Sequence, residues 1–404
     1  MPPGSCFATH PGATQVATQP LARTELGETA VEQLNGQHTG TEDLLFTPFD
    51  IGAVRLRNRT ALSPMTRISA TETGLVTDLN TRYYAGFARG GFGLIITEGI
   101  YPDTEYSQGY LHQPGLATPE HARAWRPVVE SVHAEKSAVF AQLMHAGAQS
   151  QGNRYRDESV GPSSVAPRGN QIAFYRGAGP YPTPRPLDAH QIRDIRRGFA
   201  EAARNALAAG FDGVELHGAN GYLIDQFLTD YLNHREDAYG GTVENRVRLA
   251  AEVLDEVLQA VGSEIVVGIR ISQSKVGDYD HRWAGGEEDA EAIFTTLART
   301  GAHFVHTTEY RALQPAFTNS TATLASLAKR FSGLPVIVNG HLGDPRAARS
   351  VLESRAGDLV AIGKGALAQR DWPRRVRDGL EIAGEPHPDT FRPLATIKDW
   401  ELEL

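Results

Sequence analysis

Cysteine is almost missing: Cys6 is the single one in 404 residues. That scarcity excludes an intramolecular disulfide, a cysteine-ligated iron–sulfur cluster and a CxxC redox pair, and a reducing cytoplasm is the compartment that fits. Long apolar runs are missing too, since no stretch approaches the length of about 18 residues that a membrane helix needs. There is no basic block. Lys and Arg number 39 against 48 Asp and Glu, for a net charge of -9, so nothing here tracks a phosphate backbone and nucleic acid is not expected as a partner. What is present is ordinary for a globular protein with a sizeable core, with 41% hydrophobic and 22% charged residues.

The first 42 residues differ in kind from the rest, with Pro2, Pro3, Gly4, Pro11, Gly12 and Pro20 among many Thr and Gln and no apolar periodicity. They lack the apolar segment of a secretory signal, and Arg23 is their one arginine or lysine beside Glu25, Glu28 and Glu32, unlike a transit peptide. The expectation is a disordered extension over 1–42, a barrel domain over 43–390 and a C-terminal tail over 391–404.

From Leu44 onward short apolar runs alternate with longer amphipathic stretches, the pattern of repeated βα units. Eight runs read as strands: Thr60 to Met65, Phe92 to Glu98, Ala138 to His145, Gly213 to His217, Ile265 to Ile271, His303 to Thr308, Pro335 to Asn339 and Leu359 to Ile362. Helical spacing lies between them, as in Ile192, Ile195, Phe199, Ala203 and Ala206. Eight repeats predict an α/β fold, a closed (βα)8 TIM barrel in a single domain. An open doubly wound sheet would carry a glycine loop after its first strand, and Ser63-Pro64-Met65-Thr66-Arg67 has no glycine. The stretch from Ala146 to Leu187 breaks the rhythm; following a strand on a barrel, it reads as a functional loop or lid.

Gly363-Lys364-Gly365-Ala366-Leu367-Ala368 matches GxGxxA, yet no further strand ending in an acidic residue follows, and Lys364 is followed by Gly rather than by the Ser or Thr of a Walker loop. On a barrel, these glycines together with Asn339-Gly340-His341 form a phosphate cup at the ends of the last two strands. A mononucleotide or a phosphorylated substrate is implied.

The densest polar cluster runs from Glu215 to Leu228. His217 and Asn220 can each donate a hydrogen bond to one carbonyl oxygen, and Tyr222, with a reference pKa of about 10, can donate a proton. A metal-dependent barrel hydrolase would want an HxH at the end of its first strand, which is absent; His303 and His306 read as strand packing and no metal site is expected.

Four segments carry a family resemblance: Ser63 to Arg67, Phe140-Ala141-Gln142-Leu143-Met144-His145-Ala146-Gly147, His217 to Phe227, and Tyr239-Gly240-Gly241-Thr242-Val243-Glu244-Asn245-Arg246. From about Leu44 to about Pro373 the chain resembles the Old Yellow Enzyme family, FMN-dependent NAD(P)H oxidoreductases on a (βα)8 barrel. The resemblance implies that Pro64, Met65 and Thr66 pack along the flavin, that Gly99 passes close to its ring, and that Gln142 bonds the pyrimidine edge. It further implies that Arg270 places positive charge near N1 and O2 and that Gly340, His341, Gly363 and Lys364 surround the phosphate. The implied reaction uses NAD(P)H to reduce the C=C bond of an enone or nitroalkene. Hydride leaves flavin N5 for the β-carbon, His217 and Asn220 hold the substrate oxygen, and Tyr222 protonates the α-carbon.

Some positions depart from the family pattern. Met144 and Ala148 stand where relatives commonly carry Trp and Arg, and Lys364 replaces a common arginine. Other readings within the same superfamily are an oxidative demethylase, an isomerase, or a flavin-binding protein without turnover. NADPH consumption with and without an enone separates them.

Overall fold

The computed structural model describes residues 43–403; the extension expected over 1–42 lies outside them. Eight parallel strands pair in chain order and close into a barrel. They are β1 (Thr60–Leu62), β2 (Leu94–Ile96), β3 (Ala138–Leu143), β4 (Gly213–Asn220), β5 (Val266–Lys275), β6 (Phe304–Thr308), β7 (Val336–Asn339) and β8 (Leu359–Ile362). Each lies in or over one of the eight expected runs, and helices connect them. β4 and β5 run beyond the expected Gly213 to His217 and Ile265 to Ile271, because they stay paired as far as Asn220 opposite Lys275. The helix Ala189–Ala209 shows how a connection is delimited. Asp188 and Gln191 cap its start reciprocally, Gly210 at φ 92° ends it, and Ile192, Ile195, Phe199, Ala203 and Ala206 form its buried stripe.

Alternation along the strands sorts the core into two clusters. Leu94, Ile96, Phe140, Phe304, Ile337 and Leu359 fill the barrel interior, while Ile95, Val139, Val214, Ile269 and Val338 face the helices. The interior is packed large against small, since a Cβ on Gly268 would meet the Phe304 ring at 2.4 Å and one on Gly213 would meet Phe140 at 2.8 Å. A hairpin, Phe49–Ile51 with Val54–Leu56, adds Ile51 and Leu56 to the same interior cluster and stoppers the N-terminal end of the barrel. Two residues further along each strand the inward positions turn polar: Gln142 after Phe140, Glu215 after Gly213, His306 after Phe304, Asn339 after Ile337. The ligand face is therefore the C-terminal one.

The segment from Ala146 to Leu187 has structure of its own, made by side chains rather than by periodicity. Gln151 donates to Ile172 O and Tyr175 O and accepts from Ile172 N; Val160–Gly161 pairs with Arg185–Pro186. The C-terminal segment is more than a polar tail. Ala395, Ile397 and Glu401 are buried, and Glu401 clasps the buried Arg67 at 2.6 and 2.7 Å. No described helix is long and apolar enough to cross a membrane.

Candidate active site

A cavity of about 930 Å³ opens at the C-terminal ends of the strands. All the candidate residues line it: Pro64, Met65 and Thr66 after β1, Gly99 after β2, Gln142 on β3, His217, Asn220 and Tyr222 on and after β4, and Arg270 on β5. Gly340 and His341 after β7 and Gly363 and Lys364 after β8 complete its far end. Ile172, Phe174 and Tyr175 of the long segment line it as well.

Under the cavity, charge is arranged in a buried layer. His306 Nδ1 lies 2.7 Å from Glu215 Oε2, and Gln142 Nε2 donates to Glu215 Oε1 at 2.8 Å. Burial alone would raise the Glu215 carboxyl, but His306, Arg270 and Gln142 outweigh it and hold it below its ordinary value. Because one N–H of the Gln142 amide is committed to Glu215, its orientation is fixed, and its amide oxygen and second N–H are left for a ligand. Arg270 Nη2 is shared among Asn339 Oδ1, Thr308 Oγ1 and Ser63 Oγ at 2.9, 3.2 and 3.4 Å. Its Nε is buried without a partner. Burial brings the guanidinium down to about 10 although Glu215 opposes this, so it is charged at neutral pH.

At the β4 end, Asn220 takes a left-handed conformation, φ 61°, which asparagine tolerates better than most residues. Its N–H donates to Ser272 Oγ at 2.8 Å and its C=O accepts from Gln149 Nε2 at 3.0 Å. The next N–H, of Gly221, donates to Asp225 Oδ2 at 2.6 Å, and Lys275 Nζ donates to Asp225 Oδ1 at 2.6 Å in a pair almost without exposure. His217 packs edge to face on Tyr222, ring centroids 4.8 Å apart. Burial, then Arg270 and His306, push the imidazole well below its usual pKa, so it is neutral and carries one N–H donor. Burial raises the Tyr222 phenol, with Tyr110 and Arg270 pulling the other way, so it is protonated at neutral pH. Tyr110 Oη lies 2.5 Å from Tyr222 Oη.

The β1 loop is fixed from behind. Glu98 Oε2 accepts the N–H groups of Arg67 and Ile68 at 2.8 and 3.2 Å, holding Ile68 at φ 40°. Burial raises Glu98 to about 7 against the pull of those donors and of Arg67. At the opposite end the cup is made of backbone. Gly340 stands at φ 139°, and a Cβ there would come within 2.1 Å of Glu309 O. Gly365 opens so close to Gly343 that a Cβ would be 3.1 Å from its Cα, and Lys364, exposed, starts the short helix Lys364–Ala368.

Of the departures, Met144 lines the cavity and is what Gly99 leaves room for, since a Cβ on Gly99 would lie 2.6 Å from Met144 Sδ. Ala148 is buried, its N–H donating to Gln226 Oε1 at 3.0 Å. Reading the sequence alone misses Tyr110, Glu98, Glu215, His306, Asp225 and Lys275 as parts of the site. For Glu215 a signal exists: it sits two residues before His217, on the same face of one strand.

The sequence matches the NADH:flavin oxidoreductase / NADH oxidase family over residues 44–383. It is 36% identical over 356 residues to a probable flavin mononucleotide-dependent alkene reductase of Leishmania infantum, covering 86% of this chain and 94% of that one. To 12-oxophytodienoate reductase 2 of Arabidopsis thaliana it is 34% identical over 358 residues, covering 86% and 91%. Among solved structures, the old yellow enzyme homologue from Zymomonas mobilis superposes with a TM-score of 0.79 at 30% identity, over 89% of this chain and 98% of that chain. Morphinone reductase in complex with tetrahydroNAD superposes with a TM-score of 0.74 at 32% identity, over 86% and 93%. The chain belongs to the NADH:flavin oxidoreductase / NADH oxidase family and is an FMN-dependent NAD(P)H oxidoreductase. The cavity fits FMN chemically: it offers an amide acceptor, a buried cation with an unpartnered Nε, and a backbone cup with a lysine at its far end.

Proposed function

We propose that this enzyme reduces the activated C=C bond of α,β-unsaturated carbonyl compounds or nitroalkenes, with His217 and Asn220 binding the substrate oxygen and Tyr222 delivering the proton. The observation that carries this reading is the convergence of a neutral imidazole, a backbone-locked asparagine and a protonated phenol on one wall of the flavin-sized cavity. Bound FMN supplies hydride, replenished by NAD(P)H. Pro64, Met65, Thr66, Gly99, Gln142 and Arg270 would hold its ring system, and Gly340, His341, Gly363 and Lys364 its phosphate. His217 and Asn220 each donate to the substrate oxygen and so stabilise the negative charge that grows there as the β-carbon is reduced. Tyr222 Oη then gives its proton to the α-carbon, and Tyr110 Oη, at 2.5 Å, donates to the phenolate left behind. The names of the Leishmania and Arabidopsis relatives support the substrate class. The partner is thus a small molecule, and the near absence of cysteine supports a cytoplasmic location.

Tyr222→Phe tests the assignment. Flavin reduction by NAD(P)H stays nearly intact while reoxidation by an enone slows by about 10²- to 10⁴-fold, the contribution of a lost general acid. Anaerobic stopped flow measures the two half-reactions separately, and equal loss in both would make Tyr222 structural.

A further inference from the structure

The buried carboxyl beneath the cavity has no part in the chemistry proposed above. Glu215 on β4 is fully buried, as are His306 on β6 and, nearly so, Gln142 on β3. β5 stands between β4 and β6, and opposite Glu215 it carries Gly268, which puts no side chain in the way of the 2.7 Å contact between Glu215 Oε2 and His306 Nδ1. From the other side Gln142 Nε2 donates to Oε1 of the same carboxyl at 2.8 Å. Each oxygen thus meets a donor, the surrounding that suits a carboxylate rather than a carboxylic acid. Two residues further along β5 toward the cavity comes Arg270, in register with His217 and His306, and it is the fixed cation that acts on Glu215. Of these two opposite charges Arg270 lines the cavity and Glu215 does not. A fully buried ion pair adds little to stability over apolar packing of similar volume. The use of this one lies in what stands above it.

Taking up a hydride adds one negative charge to bound FMN, and a cation beside the ring favours that charge. Arg270 acting alone would therefore draw hydride in from NAD(P)H and hold it back from the alkene. We propose that Glu215 sets the reduction potential of the bound flavin, its carboxylate offsetting Arg270 so that the cofactor is reduced by NAD(P)H and still passes hydride on. At the effective dielectric of about 20 that suits buried sites, a unit charge acts over several ångströms without contact. Glu215 is thus a positioning residue: it fixes the amide of Gln142 and balances the charge of Arg270, and it touches neither substrate nor reacting atoms. The inference rests on the assignment of Gln142 and Arg270 to the flavin ring.

Glu215→Gln and Glu215→Asp separate charge from contact. In the first, the amide oxygen still accepts from Gln142 and the amide nitrogen donates to His306 Nδ1, the imidazole taking its other tautomer. The second keeps the charge but is one methylene shorter. The midpoint potential of each FMN-saturated holoenzyme is measured anaerobically against a reference dye, with no alkene present. Glu215→Gln raises it by about 30 mV, which for a two-electron couple is a 10-fold shift in the ratio of reduced to oxidised flavin. Glu215→Asp stays close to the native potential although it binds FMN more weakly, and Arg270→Gln moves the potential in the opposite direction. In stopped flow, Glu215→Gln is reduced by NAD(P)H faster and reoxidised by an enone more slowly, whereas loss of a merely structural residue slows both. An unchanged potential in Glu215→Gln would overturn the proposal. So would a shift in Glu215→Asp as large as the one expected of Glu215→Gln, a result that suffices even where the Gln variant does not hold FMN. A shift with Arg270→Gln alone removes only the role of Glu215; no shift with any variant means that the assignment of this layer to the flavin ring has failed with it. Because no alkene enters the potential measurement, a failed role for Tyr222 leaves it untouched.

Discussion

The two ends of the cavity are built by different means. At the β4 end, the groups lining the cavity are held by side chains reaching across the barrel: Gln149 and Ser272 fix the backbone of Asn220, Asp225 and Lys275 fix Gly221, and Tyr110 meets Tyr222. At the β7–β8 end the shape comes from the main chain itself, from the φ of Gly340 and the approach of Gly365 to Gly343, with Lys364 as an exposed addition. A proton donor has to keep one direction, which takes a web of buried partners. An anion with several equivalent oxygens needs only a concave set of amides. Side-chain replacements are therefore expected to be severe at the first end and mild at the second, where adding a Cβ is the severe change.

Asp225→Asn is the sharpest test at the β4 end. It leaves Lys275 buried without its charge partner, a cost of about 3–5 kcal/mol in chemical denaturation, and it frees the turn at Asn220. Phenol binding, which on the proposed assignment uses the donors of His217 and Asn220, weakens while FMN content is retained; loss of FMN with phenol binding intact would erase the distinction between the ends. Gly340→Ala comes next. A Cβ aimed at Glu309 O and a left-handed φ cost on the order of 3 kcal/mol together, and the flavin separates from the protein on gel filtration. Lys364→Ala is milder, weakening FMN by about 10- to 150-fold with riboflavin unaffected, because riboflavin lacks the phosphate. Equal effects on the two flavins would show that the lysine points elsewhere. The last test concerns pH dependence. Glu98 is raised from 4.5 to about 7 by burial, so the folded protein keeps a proton that the unfolded chain has already released. The stability this contributes is full below about pH 4.5 and lost as pH rises through about 7. Glu98→Gln removes that slope, seen as a flatter urea midpoint across the interval; an unchanged slope would mean that Glu98 is ionised throughout.

Local pattern carried the barrel. Runs such as Ile265 to Ile271 and Leu359 to Ile362 are apolar because strands buried on both faces must be, and their number and spacing left little other than a closed ring. His217, Asn220 and Tyr222 were legible because they crowd into six residues of one turn. Tyr110 was not, since its partner Tyr222 is 112 positions away, and neither were Glu215 with His306, 91 apart, or Asp225 with Lys275, 50 apart. Such pairings have no period; only the folded chain brings them together. The stretch from Ala146 to Leu187 looked structureless for a related reason, because its order comes from Gln151 and other side chains rather than from repeating backbone hydrogen bonds.

The clasp between Arg67 and Glu401 joins residues 334 positions apart. Arg67 directly follows Thr66 in the loop that lines the cavity, and its guanidinium also reaches Ala395 O and Thr396 O. During synthesis, then, the first wall of the pocket leaves the ribosome long before the segment that secures it. Strands can pair progressively as they emerge, but the loop after β1 has its full set of anchors only once the chain beyond residue 401 is free. Anchoring of this wall is in this sense a late event, completed after translation has passed that point, and a ribosome stalled short of it would hold a barrel whose first wall is still unlatched.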